Sequence, residues 1–307
     1  MIVASAHAAD AYPTRPIRIV VGIPPGGAPD IVARVLADKL SHALAQPVVV
    51  DNKAGANGNI AAETVAKAAP DGYTLLLGQD AIFVINPHLY RLPIDPRRDL
   101  EPVAPVAWNM FVLSVNPSLP VRTFPEFVDH ARKSNPPLNY ASGGNGSVHH
   151  LTMELLKQRA GINLVHVPYR GGTPATTATL AGEVAAMFAG TSTAPQIKAG
   201  KLRAFAVTGT KRSEAFPDVP TIAEFYPGFE MSIWLGLFAP AGTPQGIVTR
   251  LRDEVSKALA LADLKERFAA AGGVQPLVLS PAEFSGLIER DFVKYQKLIR
   301  STGVKID

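Results

Sequence analysis

The chain contains no cysteine. That excludes disulfides, thiolate metal sites and a cysteine nucleophile, and it is compatible with an oxidising compartment. Apolar runs long enough for a membrane span, roughly 18 residues, are missing as well. Charge is sparse and balanced: 30 Lys and Arg against 26 Asp and Glu give a net charge of +4. Without a basic run, a nucleic-acid partner is not expected, and a pI of 9.2 implies only mild attraction to anions. None of the seven histidines falls in a metal-ligand spacing such as H-E-x-x-H, so neither a metal nor another cofactor is expected.

What is present is glycine and proline at the ends of short apolar segments. The 307 residues, 47% hydrophobic and 18% charged, suit a globular protein of one large or two medium domains. The stretch RIVVGIPPGGAPDIVARVLADKLSHAL, Arg18 to Leu44, reads as a strand, a tight turn and an amphipathic helix. Pro29 suits the first helical turn and Asp30 the positive end of the helix dipole. Gly26 and Gly27 permit close approach of the backbone to a ligand, and the free N–H groups of the helix start suit a carboxylate or phosphate. The turn has neither the Lys-Ser/Thr of a P-loop nor the G-x-G-x-x-G spacing, so it carries no nucleotide signature.

Strands and helices then alternate. Strands are expected at Val48 to Val50 and Tyr73 to Leu77, with a helix over Ile60 to Ala68, giving a βαβαβ unit. A loop rich in Pro and Arg follows over Pro87 to Pro105, then a strand at Met110 to Val115 and a helix over Phe124 to Lys133 opened by a capping box at Thr123 to Glu126. A second βαβαβ unit comprises Asn139 to Ala141, a helix over Val148 to Gln158, Asn163 to Val167, a helix over Pro174 to Ala181, and Ala185 to Phe188. Further strands are expected at Lys201 to Thr208 and Trp234 to Ala239. Helices close the chain at Pro244 to Leu261 and Pro281 to Arg300, and Thr221 to Glu224 and Ser280 to Glu283 read as further capping boxes. No residue-level repeat links the two units.

In open parallel sheets ligands bind beyond the carboxyl ends of the strands, where the strand order reverses. The rule selects Pro24, Gly26, Gly27 and Ala28, then Gln79, Asp80 and Ala81, in one unit. In the other it selects Ser142, Gly143, Asn145, Gly146 and Ser147, together with Thr191 and Ser192. Chain crossings near residues 105 and 230 would make lobes of 10–105 plus 230–307 and of 106–229, hinged to close on a ligand. Ser147 with His149 and His150 fits an N-cap followed by first-turn histidines better than a nucleophile and base. Trp108, Phe83 and Phe111 suit either the cleft or the lobe cores. Asp80 either lends the site a negative charge or turns away to cap the following turn.

The fragments YPTRPIRIVVGIPPGG, VVVDNKAGANGNIAAETVAKAAPDGYTLLL, INPHLY, VPYRGG, DVPTIAEFYPGFE and WLGLFAPAGTP, in this order, resemble the solute-binding proteins of the tripartite tricarboxylate transporter system, the Bug family. The resemblance covers nearly the whole chain from Tyr12. It implies an α/β, two-lobed type II periplasmic-binding-protein fold with the ligand cleft between the lobes, and a non-enzymatic receptor. It also implies a small carboxylate ligand held by backbone, hydroxyls and water, and delivery to the membrane transporter subunits of a tripartite system. Pro24 to Gly27, Gly143 to Ser147 and Tyr169 to Gly172 match the family's ligand-facing loops, which adds Tyr169, Arg170 and Gly171 to the site. Arg170 stands where Lys is common, and Gln79-Asp80 departs from a Ser/Thr-rich pattern. Ala6-His7-Ala8 matches a signal-peptidase site, so residues 1–8 read as the remnant of a secretory signal and the mature protein as periplasmic and monomeric. A sensor acting through a protein partner, or an α/β enzyme acting on a small acid, is the other reading; a DNA-binding regulator is not expected.

Overall fold

The computed structural model describes residues 12–271 and 273–306. The expected signal remnant lies outside the described residues. The first unit forms as β1 (Ile17–Val21), α1 (Ala28–Leu44), β2 (Val48–Asn52), α2 (Asn59–Ala66) and β3 (Thr74–Gln79). β1 pairs in parallel with both β2 and β3. Its residues are buried on both faces, as befits a covered parallel strand. Ile19 and Val21 join Val32, Leu36 and Leu40 of α1, while Val20 joins Ala61 and Val65 of α2 on the opposite side.

After a short α3 (Asp80–Val84), the expected loop from Pro87 to Pro105 holds two more short helices, α4 (Asn86–Leu89) and α5 (Pro96–Asp99), and the start of β4 (Leu100–Val115). This 16-residue strand starts ten residues before the expected Met110. Pro102 and Pro105 hid it, since proline donates no ladder hydrogen bond. The strand accommodates both at irregularities, where the pairing register shifts between Pro102 and Ala104 and between Pro105 and Ala107.

The second unit comprises α6 (Phe124–Lys133), β5 (Leu138–Ser142), α7 (Val148–Ala160), β6 (Leu164–Pro168), α8 (Gly172–Ala181), β7 (Ala186–Gly190), α9 (Ala194–Lys198) and β8 (Arg203–Val207). The chain ends with β9 (Ser232–Pro240), α10 (Gln245–Ala260), α11 (Ala262–Ala270), β10 (Gln275–Pro276) and α12 (Pro281–Thr302). α11 was not expected. It turns Leu264 and Phe268 into the core after Leu261 becomes extended and ends α10. The boxes at Thr221 and Ser280 close reciprocally. That at Thr123 is half formed: Thr123 accepts from Glu126 N–H, but the Glu126 carboxylate accepts from Arg122 N–H.

The strands follow the order β2-β1-β3-β9-β4-β7-β5-β6, with β8 and β10 also on β4. β4 is the spine of the molecule. From Leu100 to Met110 it pairs with β9, and from Phe111 to Val115 with β7 and β8. One rod of backbone therefore carries both sheets, and their strand ends face each other across a cleft.

Candidate functional site

The cleft encloses about 270 Å³. Three helix starts meet there, α1 through Gly27, Ala28 and Pro29, α7 through Ser147 and Val148, and α8 through Gly171, Gly172 and Thr173. Neither Gly27 nor Gly171, the residues preceding α1 and α8, contributes a side-chain cap. The first-turn N–H groups of both helices are thus left for a ligand, at the positive end of each dipole. A short echo joins them: Gly26-Gly27-Ala28-Pro29 and Gly171-Gly172-Thr173-Pro174 share the order Gly-Gly-x-Pro. That signal was available in the sequence and passed over. The two starts approach closely, and a Cβ on Gly171 would lie 3.4 Å from Pro24 Cδ.

Among the described residues lining the cleft there is no Asp, Glu, Lys or Arg. The one titratable side chain is His149, on α7, whose imidazole is pulled by burial down to about 4 and is neutral at pH 7. Its ring packs on Phe111 at 4.8 Å, and its Nδ1 is buried without a partner. Trp108, Phe111, Leu180, Ile233, Leu235 and Val274 supply an apolar wall.

Of the residues expected at the site, Pro24, Gly26, Gly27, Ala28, Gln79, Ala81, Gly143, Ser147, Gly171 and Ser192 line the cleft. Asp80 does not. It is fully buried beneath the cleft floor, with one carboxylate oxygen accepting from Ala81 N–H and the other unpartnered. Burial, and then the nearby Asp291, push its carboxyl well above the usual range. The idea that Asp80 adds charge to the site is therefore corrected. Ser142 and Gly146 are also turned inward: Ser142 Oγ accepts from Gly144 N–H, and Gly146 N–H donates to His150 Nδ1. Ser142 Oγ lies 2.6 Å from His166 Nε2, yet Ser142 is fully buried, so the pair anchors a loop and offers no nucleophile to the cleft. Asn145, Tyr169 and Arg170 stand at the rim outside the lining: Asn145 is exposed and its carbonyl accepts from the Tyr90 hydroxyl, Tyr169 bonds Glu183, and Arg170 is exposed. Thr191 begins a single 3-10 turn, Thr191–Thr193, and its side chain lies outside the described set.

Trp108 and Phe111 belong to the cleft, whereas Phe83 stacks on Phe238 at 4.0 Å in the core. Sequence reasoning missed Asn57, Thr176, Thr177, Gln196 and the apolar residues of β9 and Val274. Thr176, Thr177 and Leu180 carry the spacing of one face of α8, but threonines and alanines are spread around the whole helix, so no face stood out.

The sequence profile of the tripartite tricarboxylate transporter family receptor, TctC, matches residues 32–304. Protein BugT of Bordetella pertussis is 37% identical over 308 residues, covering 99% of this chain and 94% of its own. Two solved structures from Rhodopseudomonas palustris are similar throughout. Rpa4515 with adipate is 35% identical with a TM-score of 0.92, over 96% of this chain and 99% of its own. MatC with bound malate is 32% identical with a TM-score of 0.85, over 94% and 100%. The chain belongs to the tripartite tricarboxylate transporter receptor family, also called Bug, with its two-lobed periplasmic-binding-protein fold, and this is a family of solute receptors rather than enzymes.

Proposed function

We propose that the protein is a periplasmic receptor that binds a small carboxylate between its lobes and presents the closed form to the membrane subunits of a tripartite transporter. The observation that carries this reading is the uncharged cleft at which three helix starts converge. An anion there is met by oriented N–H groups without a salt bridge to be broken on release, which suits a carrier. Adipate and malate bound to the two structural relatives support the ligand class.

The ligand-facing set is Pro24, Gly26, Gly27, Ala28, Gln79, Ala81, Gly143, Ser147, Gly171 and Ser192, joined by His149 and Thr173. The change of partners along β4, between Met110 and Phe111, and the return into β9 support a hinge of two crossings close to the expected 105 and 230. The receptor acts as a monomer after loss of a secretory signal. Calorimetry against a panel of small carboxylates, paired with solution scattering, tests the reading. Saturable binding of at least one acid with a fall in radius of gyration is expected. Failure of every carboxylate to bind contradicts it.

A further inference from the structure

Taking the carboxylate reading above as its ground, we infer that His149 contacts the solute directly, as an uncharged imidazole that donates one hydrogen bond from Nε2 to the carboxylate.

His149 is the second residue of α7, and three other elements fix its ring. Phe111 of β4 packs on it at 4.8 Å. Gly143 of the β5 loop and Gly172 at the start of α8 flank its two nitrogens: a Cβ on Gly143 would lie 3.1 Å from Nδ1, and one on Gly172 3.5 Å from Nε2. The ring fills space that two missing side chains leave open, beside a helix start whose first N–H groups await an anion. Nδ1 is buried there without a partner, whereas Nε2, also unbonded by the protein, keeps its access to the cleft. The Ser192 and Thr173 hydroxyls and the Gln79 amide line the cleft too, and each rotates to turn either a donor or an acceptor to a ligand. The clamped imidazole makes that choice only through its tautomer.

An ionised carboxylate only accepts, so it selects the tautomer with the proton on Nε2 and the lone pair on Nδ1. A second proton would have to sit on Nδ1, a buried position that offers no acceptor. Among the described residues no charged group of the protein faces the ring. β4 meets it with Phe111, the β5 loop with Gly143 and α8 with Gly172. On α7 itself, Glu154 pairs with Lys157 and accepts from Tyr140, next to the stacked rings of His150 and His166. Burial holds the imidazole at about 4, so it meets the solute uncharged at pH 7. The carboxylate gains a fixed direction without an ion pair.

The probe is the tightest binder among adipate, malate and the wider carboxylate panel, measured by calorimetry on the full chain. His149→Phe keeps an aromatic ring against Phe111 and removes the donor, and should weaken binding by about tenfold. His149→Gln carries an amide nitrogen to the position of Nε2 and should bind within about threefold of the unsubstituted protein. His149→Asn, whose nitrogen stops at the position of Nδ1, should lose as much as His149→Phe. A packing role predicts the reverse order, with His149→Phe nearest to the unsubstituted protein. Imidazole nitrogen NMR of the unsubstituted complex at pH 7.5 should show a proton on Nε2 and none on Nδ1, a readout that holds whether or not the variants fold. Undiminished binding by His149→Phe, equal losses in all three variants, or a ring protonated on Nδ1 in the complex overturns the assignment and leaves the receptor reading standing. Failure of every carboxylate to bind overturns both.

Discussion

The two glycine loops that face each other across the cleft do the same work and are anchored by opposite means. In the first, Gly26 N–H donates to Asp30, whose carboxylate is also held by Arg34 and Asn52. Burial alone would raise this acid, but those bonds outweigh it and hold the carboxyl below its usual range. In the second, the anchors are neutral: Gly146 N–H donates to His150 and Ser142 bonds His166, and the two imidazoles stack 3.9 Å apart. Tyr140, Glu154 and Lys157 pack around them, with Tyr140 donating to Glu154. One loop is tied by an ion pair and the other by uncharged rings, so the two should respond differently to substitution and to acid.

The largest effect expected is from Asp30→Ala. It removes the carboxylate that gathers Gly26 N–H, Arg34 and Asn52 at the turn and should destabilise by about 2–3 kcal/mol, measured by urea unfolding. His150→Ala should cost less, about 1–2 kcal/mol, because it frees one neutral N–H and loses ring contacts. Equal losses would erase the distinction between the loops.

Acid sharpens the comparison. The folded-state values of His150 and His166 are lowered, by burial first, with His166 pulled to about 4. For a base with a lowered folded value, the unfolded chain takes up the proton first. Stability from these rings is therefore complete above about pH 6.5 and is lost as the pH falls toward 4. Since His166 is only partly buried, the loss is discounted to about 1–2 kcal/mol. Asp30 is lost in the same direction but in a lower window: its contribution is present above its ordinary value near 4 and is lost only as the pH falls through its lowered one. Amide protection factors, taken relative to the intrinsic exchange rate at each pH, should fall between pH 7 and 5 at residues 143–147 and stay constant at 26–30. A matched fall in both loops would count against the pairing of anchors described here.

Two smaller effects concern glycine and Asp80. Gly26 has φ of +89°, so Gly26→Ala should cost about 1 kcal/mol by strain although nothing lies within 4 Å of the added methyl. Gly143 has no such backbone demand; its Cβ would meet His149 Nδ1 at 3.1 Å, so Gly143→Ala should weaken binding more than folding. Asp80→Asn removes a buried, unpaired acid and should raise the melting temperature at pH 7 by a few degrees, with ligand affinity unchanged. A large loss of affinity would return Asp80 to the site.

The sequence made the strand-turn-helix units legible because their apolar runs end at Gly and Pro, and β1, α1 and the β5 loop fell where expected. It concealed β4 because Pro102 and Pro105 look like loop residues until a neighbouring strand absorbs them as irregularities. Asp80 misled for a different reason. A residue at a strand end faces either the cleft or the core, and the choice depends on α12, whose Asp291 and Tyr295 lie more than two hundred residues away.

The most direct test of the central claim is a crystal structure of the protein with its tightest-binding carboxylate. The carboxylate should sit inside the cleft with its oxygens in hydrogen-bonding range, about 2.7–3.1 Å, of backbone N–H groups at the starts of α1 and α8. A carboxylate paired instead with the exposed Arg170 guanidinium, outside the cleft, would contradict it.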